Sequence, residues 1–97
     1  MGNSVVLSLS TKVYKNKNII SNQIDGETVI MRIEENDYFQ LDETGTYIWN
    51  IIDKPISVIE ISDKIIEHFG ISREQSESDM LNFINELSRK KIVITGG

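Results

Sequence analysis

The sequence predicts an α+β domain in which a three-stranded antiparallel β-meander is followed by three α-helices. Three observations carry this reading. An Asp25-Gly26 turn separates two β-branched runs, and Ser57-x-x-Glu60 and Ser72-x-x-Gln75 mark two helix starts. A length of 97 residues with 39% apolar content suits one hydrophobic core rather than two.

Residues 1–18 are polar apart from a short apolar start at residues 5–9, and carry Lys12, Lys15 and Lys17. They read as an N-terminal arm with room for one short strand. Residues 19–24 end at Asp25-Gly26, a pair that tolerates the positive φ of a two-residue hairpin turn. In the return strand, residues 27–34, Val29, Met31 and Ile33 alternate with Thr28, Arg32 and Glu34. The odd positions are therefore expected to face the core and the even ones water, although Ile30 blurs the pattern. A third strand over residues 38–41 follows Glu35-Asn36-Asp37 and completes the meander.

Asp42 stands as an N-cap, and Ile48, Ile51 and Ile52 extend a first helix over residues 43–53, ahead of Pro55, which cannot continue it. The second helix opens at the Ser57 capping box, carries Val58, Ile61, Ile65 and Phe69 on one stripe, and ends at Gly70 as an αL cap. The third opens at Ser72, with Met80, Phe83, Ile84 and Leu87 as its apolar stripe and Lys90-Lys91 suited to its C-terminal dipole. Ile92-Val93-Ile94 reads as a further short strand. The expected layout is an arm at residues 1–18, a domain at 19–94 and a flexible tail at 95–97.

Composition excludes several functions. Ten basic against fifteen acidic residues give a net charge of −5, which disfavours binding to a phosphate backbone. With no cysteine, thiolate metal sites, catalytic thiols and disulfides are absent, and a reducing compartment, the cytoplasm, is expected. No signal peptide or membrane span is expected, since the N-terminus lacks a basic start and a long apolar run. No GxSxG, HExxH, P-loop or GxGxxG occurs, and the six glycines are isolated or terminal. His68, the sole histidine, reads as a surface residue in the last turn of the second helix. The acidic pairs Glu34-Glu35 and Asp42-Glu43 read as solvated turns and caps. No enzyme, cofactor or metal site is expected.

The second and third helices, joined through Phe69-Gly70-Ile71-Ser72, have helix-turn-helix proportions, and with the meander they make a winged helix-turn-helix-like domain. The third helix would be the recognition helix, but Arg73 is outnumbered there by Glu74, Glu77 and Asp79, a face that repels phosphates. Other residues carry a different resemblance. Tyr38-Phe39-Gln40-Leu41-Asp42-Glu43-Thr44-Gly45 with Ile48-Trp49, and Asp79-Met80-x-x-Phe83-x-x-x-Leu87, together with Glu60-Ile61 and Lys91-Ile92-Val93, resemble the PqqD-like family, the peptide-binding modules known as RiPP recognition elements. The likeness spans residues 19–94, and its Gly45 and Trp49 version is most similar to free-standing members from lasso-peptide clusters. Glu35-Asn36-Asp37 departs from the Pro-x-Gly of the pyrroloquinoline quinone branch.

The resemblance implies an adaptor that binds the leader segment of a ribosomal precursor peptide and presents it to a separate leader peptidase or other maturation enzyme. The leader would add as a strand to the edge of the third strand and pack on the third helix. The peptide-binding residues so implied are Tyr38, Phe39, Gln40, Leu41, Asp79, Met80, Asn82, Phe83, Glu86 and Leu87. Phe39, Leu41, Met80, Phe83 and Leu87 also read as plain core, a reading favoured for Leu41 and Leu87. Two alternatives stay open: a winged-helix DNA-binding protein, and a dimeric structural subunit with residues 5–9 as the swapped element. The acidic flanks of the third strand call for a basic residue in the bound peptide. For the second hairpin, a three-residue loop over residues 35–37 with Asp37 in αL is expected. It pairs Ile33 with Phe39 and Met31 with Leu41, and leaves the backbone of Phe39 and Leu41 on the free edge.

Overall fold

The computed structural model describes residues 7–96. Its meander consists of β2 (Ile19–Ile24), β3 (Glu27–Arg32) and β4 (Asp37–Leu41), antiparallel in that order, and three helices follow: α1 (Glu43–Ile51), α2 (Val58–Phe69) and α3 (Arg73–Arg89). Three short strands, β1 (Lys12–Lys15), β5 (Ile56–Ser57) and β6 (Val93–Thr95), make a second sheet in the order β5-β1-β6. The segment read as an arm thus supplies a central strand, and its Val13 is wholly buried. Of the expected tail, Thr95 pairs with Val13, and the Gly96 N–H donates to Lys12 O at 3.0 Å. Residues 5 and 6 of the arm lie outside the described residues, while Leu7 and Leu9 pack against the core.

Local chemistry sets the helix ends. The Asp42 carboxylate accepts from the Gly45 N–H, and Ser57 and Glu60 satisfy each other's backbone in a complete capping box. The first of these bonds offsets one of the four unpaired N–H groups at a helix start. The Ser57 N–H, donating to Glu60, holds that carboxyl below its ordinary range. Gly70 closes α2 at φ 69°, a left-handed conformation that costs glycine nothing. Ser72 caps α3 through the Gln75 N–H alone; the Gln75 side chain turns away to Asp79. Helix α1 stops at Ile51, two residues short of expectation, where the cap residue Ile52 is buried with ψ 60°. The core gathers Trp49, Ile48 and Ile52 of the α1 region, Ile61 and Ile65 of α2, Met80, Ile84 and Leu87 of α3, and Ile30 of β3. Two buried hydroxyl pairs, Thr28–Thr46 and Ser62–Ser76, each at 2.7 Å, join β3 to α1 and α2 to α3. Phe69, expected on the α2 stripe, is 44% exposed and meets Tyr47 edge-on.

The first hairpin forms as expected: Asp25 and Gly26 have φ 52° and 81°, and Ile24 pairs with Glu27. The second does not. Ile30 pairs with Phe39 and Thr28 with Leu41, in place of Ile33 with Phe39 and Met31 with Leu41. The loop has four residues, 33–36, and the left-handed one is Asn36 at φ 57°, not Asp37. The even face of β3 is therefore buried, with Thr28 and Ile30 at 0% exposure, whereas Met31 and Ile33 are 49% and 57% exposed. The physical reason lies across the chain. In this register Thr28 meets the Thr46 hydroxyl, and the Arg32 guanidinium forks onto Asp37 and donates to Lys90 O at 3.0 Å at the end of α3. Polar residues on the even face are thus satisfied, which removes the cost of burying them.

Among the described residues, the ladder fixes which backbone groups of β4 remain free. Ile24 and Glu27 flank the two-residue turn as a hydrogen-bonded pair, so odd residues of β3 bond β2 and even ones bond β4. Their partners on β4 are Asp37, Phe39 and Leu41. The outward N–H and C=O groups on the open edge belong to Tyr38 and Gln40, which reverses the expected assignment.

Candidate functional site

A groove runs between this open edge and α3. Phe39, Gln40 and Leu41 of β4, Phe83, Glu86 and Leu87 of α3, and Asp42, Gly45, Lys90 and Ile92 line a cavity of about 330 Å³. Residues 83, 86, 87 and 90 share one face because they recur at helical spacing. A second compartment of about 270 Å³ continues toward the start of α1, lined by Asp42, Thr44, Gly45, Ile48, Asp79, Met80 and Phe83. Asp42, Gly45 and Phe83 belong to both. Gly45 holds α1 close to β4: a Cβ there would stand 3.1 Å from Leu41 Cβ, closer than ordinary packing allows.

Charges frame the floor. Lys90 Nζ lies 4.7 Å from the Phe39 ring centroid, and the Arg32 guanidinium carbon 5.0 Å from it, distances at which a ring attracts a cation. The hydrogen bond from Arg32 holds the Asp37 carboxyl below its ordinary range, and the same bond raises Arg32. This clamp anchors one end of β4 to the end of α3.

Of the ten sequence-predicted residues, the structure brings Phe39, Gln40, Leu41, Asp79, Met80, Phe83, Glu86 and Leu87 together along this groove. Tyr38, 67% exposed, stands on the edge strand beside it. Asn82 is exposed on α3 and lines neither compartment. The sequence reading missed Thr44, Gly45, Ile48, Lys90 and Ile92 as lining residues, and it gave Asp42 the roles of a helix cap and of one acidic flank of the third strand. Their signals existed, but each already had a local explanation in a turn, a cap, a helix stripe or a strand start.

An open strand edge beside an apolar trough can accept an extended peptide, whose backbone completes the ladder and whose alternate side chains enter the trough. Among the described residues no His, Asp or Glu group is placed to hold a metal ion, and no helix is long and apolar enough to cross a membrane.

The family model for coenzyme PQQ synthesis protein D, PqqD, matches residues 27–93. Among curated proteins none matches. The solved structure of TbiB1 in complex with the TbiA(beta) leader peptide is similar to this chain, with a TM-score of 0.78 and 27% sequence identity, covering 84% of this chain and 94% of that one.

Proposed function

The chain belongs to the PqqD family, and we propose that it is a non-catalytic adaptor that binds the leader segment of a ribosomally made precursor peptide and presents it to a separate maturation enzyme. The observation that carries this is the edge of β4, unpaired among the described residues, with outward backbone groups at Tyr38 and Gln40, beside the groove of Phe39, Leu41, Phe83 and Leu87. The likeness to TbiB1, which was solved with a leader peptide, supports it. The leader pairs with β4, and its inward side chains rest on α3. A finer reading is that the product is a lasso peptide and the next enzyme a leader peptidase. The Gly45 and Trp49 resemblance supports it, with Gly45 lining the groove and Trp49 in the core beneath α1. A cytoplasmic setting fits a chain without cysteine.

The DNA-binding alternative is weakened by the structure of the would-be recognition helix. Arg73 at its start is engaged by Asp63 at 2.9 Å and Glu77 at 3.3 Å, which leaves no unneutralised cation there for a phosphate. The test is a titration of fluorescently labelled TbiA(beta) leader peptide, and of the leader of any short precursor encoded beside this chain, with duplex DNA as control. Saturable binding of leader peptide that mass spectrometry shows to be intact is expected. Binding of DNA but of neither peptide, or cleavage by the pure protein, overturns the proposal.

A further inference from the structure

Charge is unevenly placed along the groove. At the hairpin end Lys90 lines the floor, 3.4 Å from Glu86. At the other end the compartment floored by Ile48, Met80 and Phe83 is rimmed by two carboxylates, Asp79 and Asp42, the latter at the junction of the two compartments and lining both. Among the described residues both accept only from neutral donors, the Gly45 N–H and Gln75 Nε2, each at 2.8 Å. Neither takes part in an ion pair among the described residues.

Resting on the reading of the groove as a leader-peptide site, we infer that its occupant carries a lysine or arginine whose stem lies on Met80 and Phe83 and whose head meets Asp42 and Asp79. An apolar floor with an acidic rim suits a side chain that is apolar along its length and charged at its tip. The spacing follows from the two periodicities. Leu87 and Asp79 are separated by about 12 Å along α3 at about 1.5 Å per residue. An extended peptide rises about 3.4 Å per residue and turns every second side chain inward. The basic residue therefore stands four positions from the apolar residue seated between Phe39 and Leu87. Exposed pairs of this kind change affinity about twofold to fivefold, so these carboxylates select among peptides that the edge and the apolar floor already hold.

The test is selection from a displayed random-peptide library on the full chain, followed by anisotropy measurements with synthetic peptides. Enriched peptides are expected to carry Lys or Arg four residues from an apolar anchor. Replacing that residue by glutamine should weaken binding to the native chain about twofold to fivefold and leave binding to the D42N/D79N chain unchanged. Asparagine caps a helix as well as aspartate does, so α1 keeps its start. Enriched peptides without a basic residue at that spacing, or an equal loss on both chains, overturn this inference and leave the adaptor reading standing. A library that yields no binder overturns both.

Discussion

Replacing Gln40 by proline separates the observed edge from the one the side-chain pattern predicts. Gln40 lies opposite Val29, so its N–H points away from β3 toward the open side. Proline lacks that donor, and the substitution removes no rung of the ladder. Phe39 before it is already in strand, the conformation that a following proline demands. What the fold loses is the exposed hydrogen bond from Gln40 Nε2 to Glu27 Oε1 at 2.8 Å, a cost of about 0.5–1.5 kcal/mol. An added peptide strand loses a backbone bond of about 0.5–1.5 kcal/mol net, roughly twofold to twelvefold in Kd, and also meets a ring where it must approach. Phe39→Pro does the opposite: it breaks the rung to Ile30 and should unfold or severely destabilise the domain. Trp49, the sole tryptophan and 1% exposed, reports urea unfolding, and labelled leader peptide reports binding. By hydrogen exchange the Phe39 and Leu41 amides should be slow in the free protein, while those of Tyr38 and Gln40 slow only when peptide is added. A Gln40→Pro chain that fails to fold, or one that folds and binds peptide with unchanged affinity, refutes the assigned edge.

Three further outcomes follow from the same structure. Ile30→Ala should cost about 2–5 kcal/mol of stability while Met31→Ser changes it by less than about 0.5 kcal/mol, since one is wholly buried and the other 49% exposed; denaturation midpoints in the reverse order would mean that the faces of β3 are misassigned. Because Arg32 depresses the Asp37 pKa, its stabilising effect is full above the unfolded carboxyl pKa of about 4 and is lost as pH falls through the lower folded value. The stability gap between the native chain and Asp37→Asn should therefore be constant at neutral pH and close on acidification, and a gap that instead widens in urea titrations at low pH contradicts the clamp. Phe83→Ala, once shown to be folded, should weaken leader binding tenfold or more, as expected for a hot-spot aromatic of about 1.4 kcal/mol or above. Asn82→Ala should leave that titration unchanged, because Asn82 lines neither compartment.

How much of this was legible in the sequence depended on how far away the deciding partner lay. Asp25-Gly26, Asp42, Ser57, Gly70 and Ser72 act on backbone within a turn of themselves, and each forms the turn or cap its chemistry demands. The register of β3 against β4 is different, because Val29-Ile30-Met31 makes both faces of β3 apolar and alternation then carries no sign. The choice falls to the polar residues. Thr28 finds Thr46 eighteen positions on, and Arg32 finds the Lys90 carbonyl fifty-eight positions on. Neither partner can be read from a local window. The same holds for β1, a lysine-flanked segment whose pairing partners sit at residues 56–57 and 93–95.

The slip had an unequal effect on the site. The observed and expected pairings differ by three residues on β3, an odd number. Phe39 and Leu41 face the apolar side in either pairing, so the side chains of the groove survive the error. The backbone is less forgiving, because the residues of β4 that bond β3 change from Tyr38 and Gln40 to Asp37, Phe39 and Leu41. A sequence can thus disclose what a peptide's side chains would rest on while inverting which amides its backbone would meet. Measurements on the amides themselves, rather than side-chain substitutions along the trough, are what distinguish the two edges.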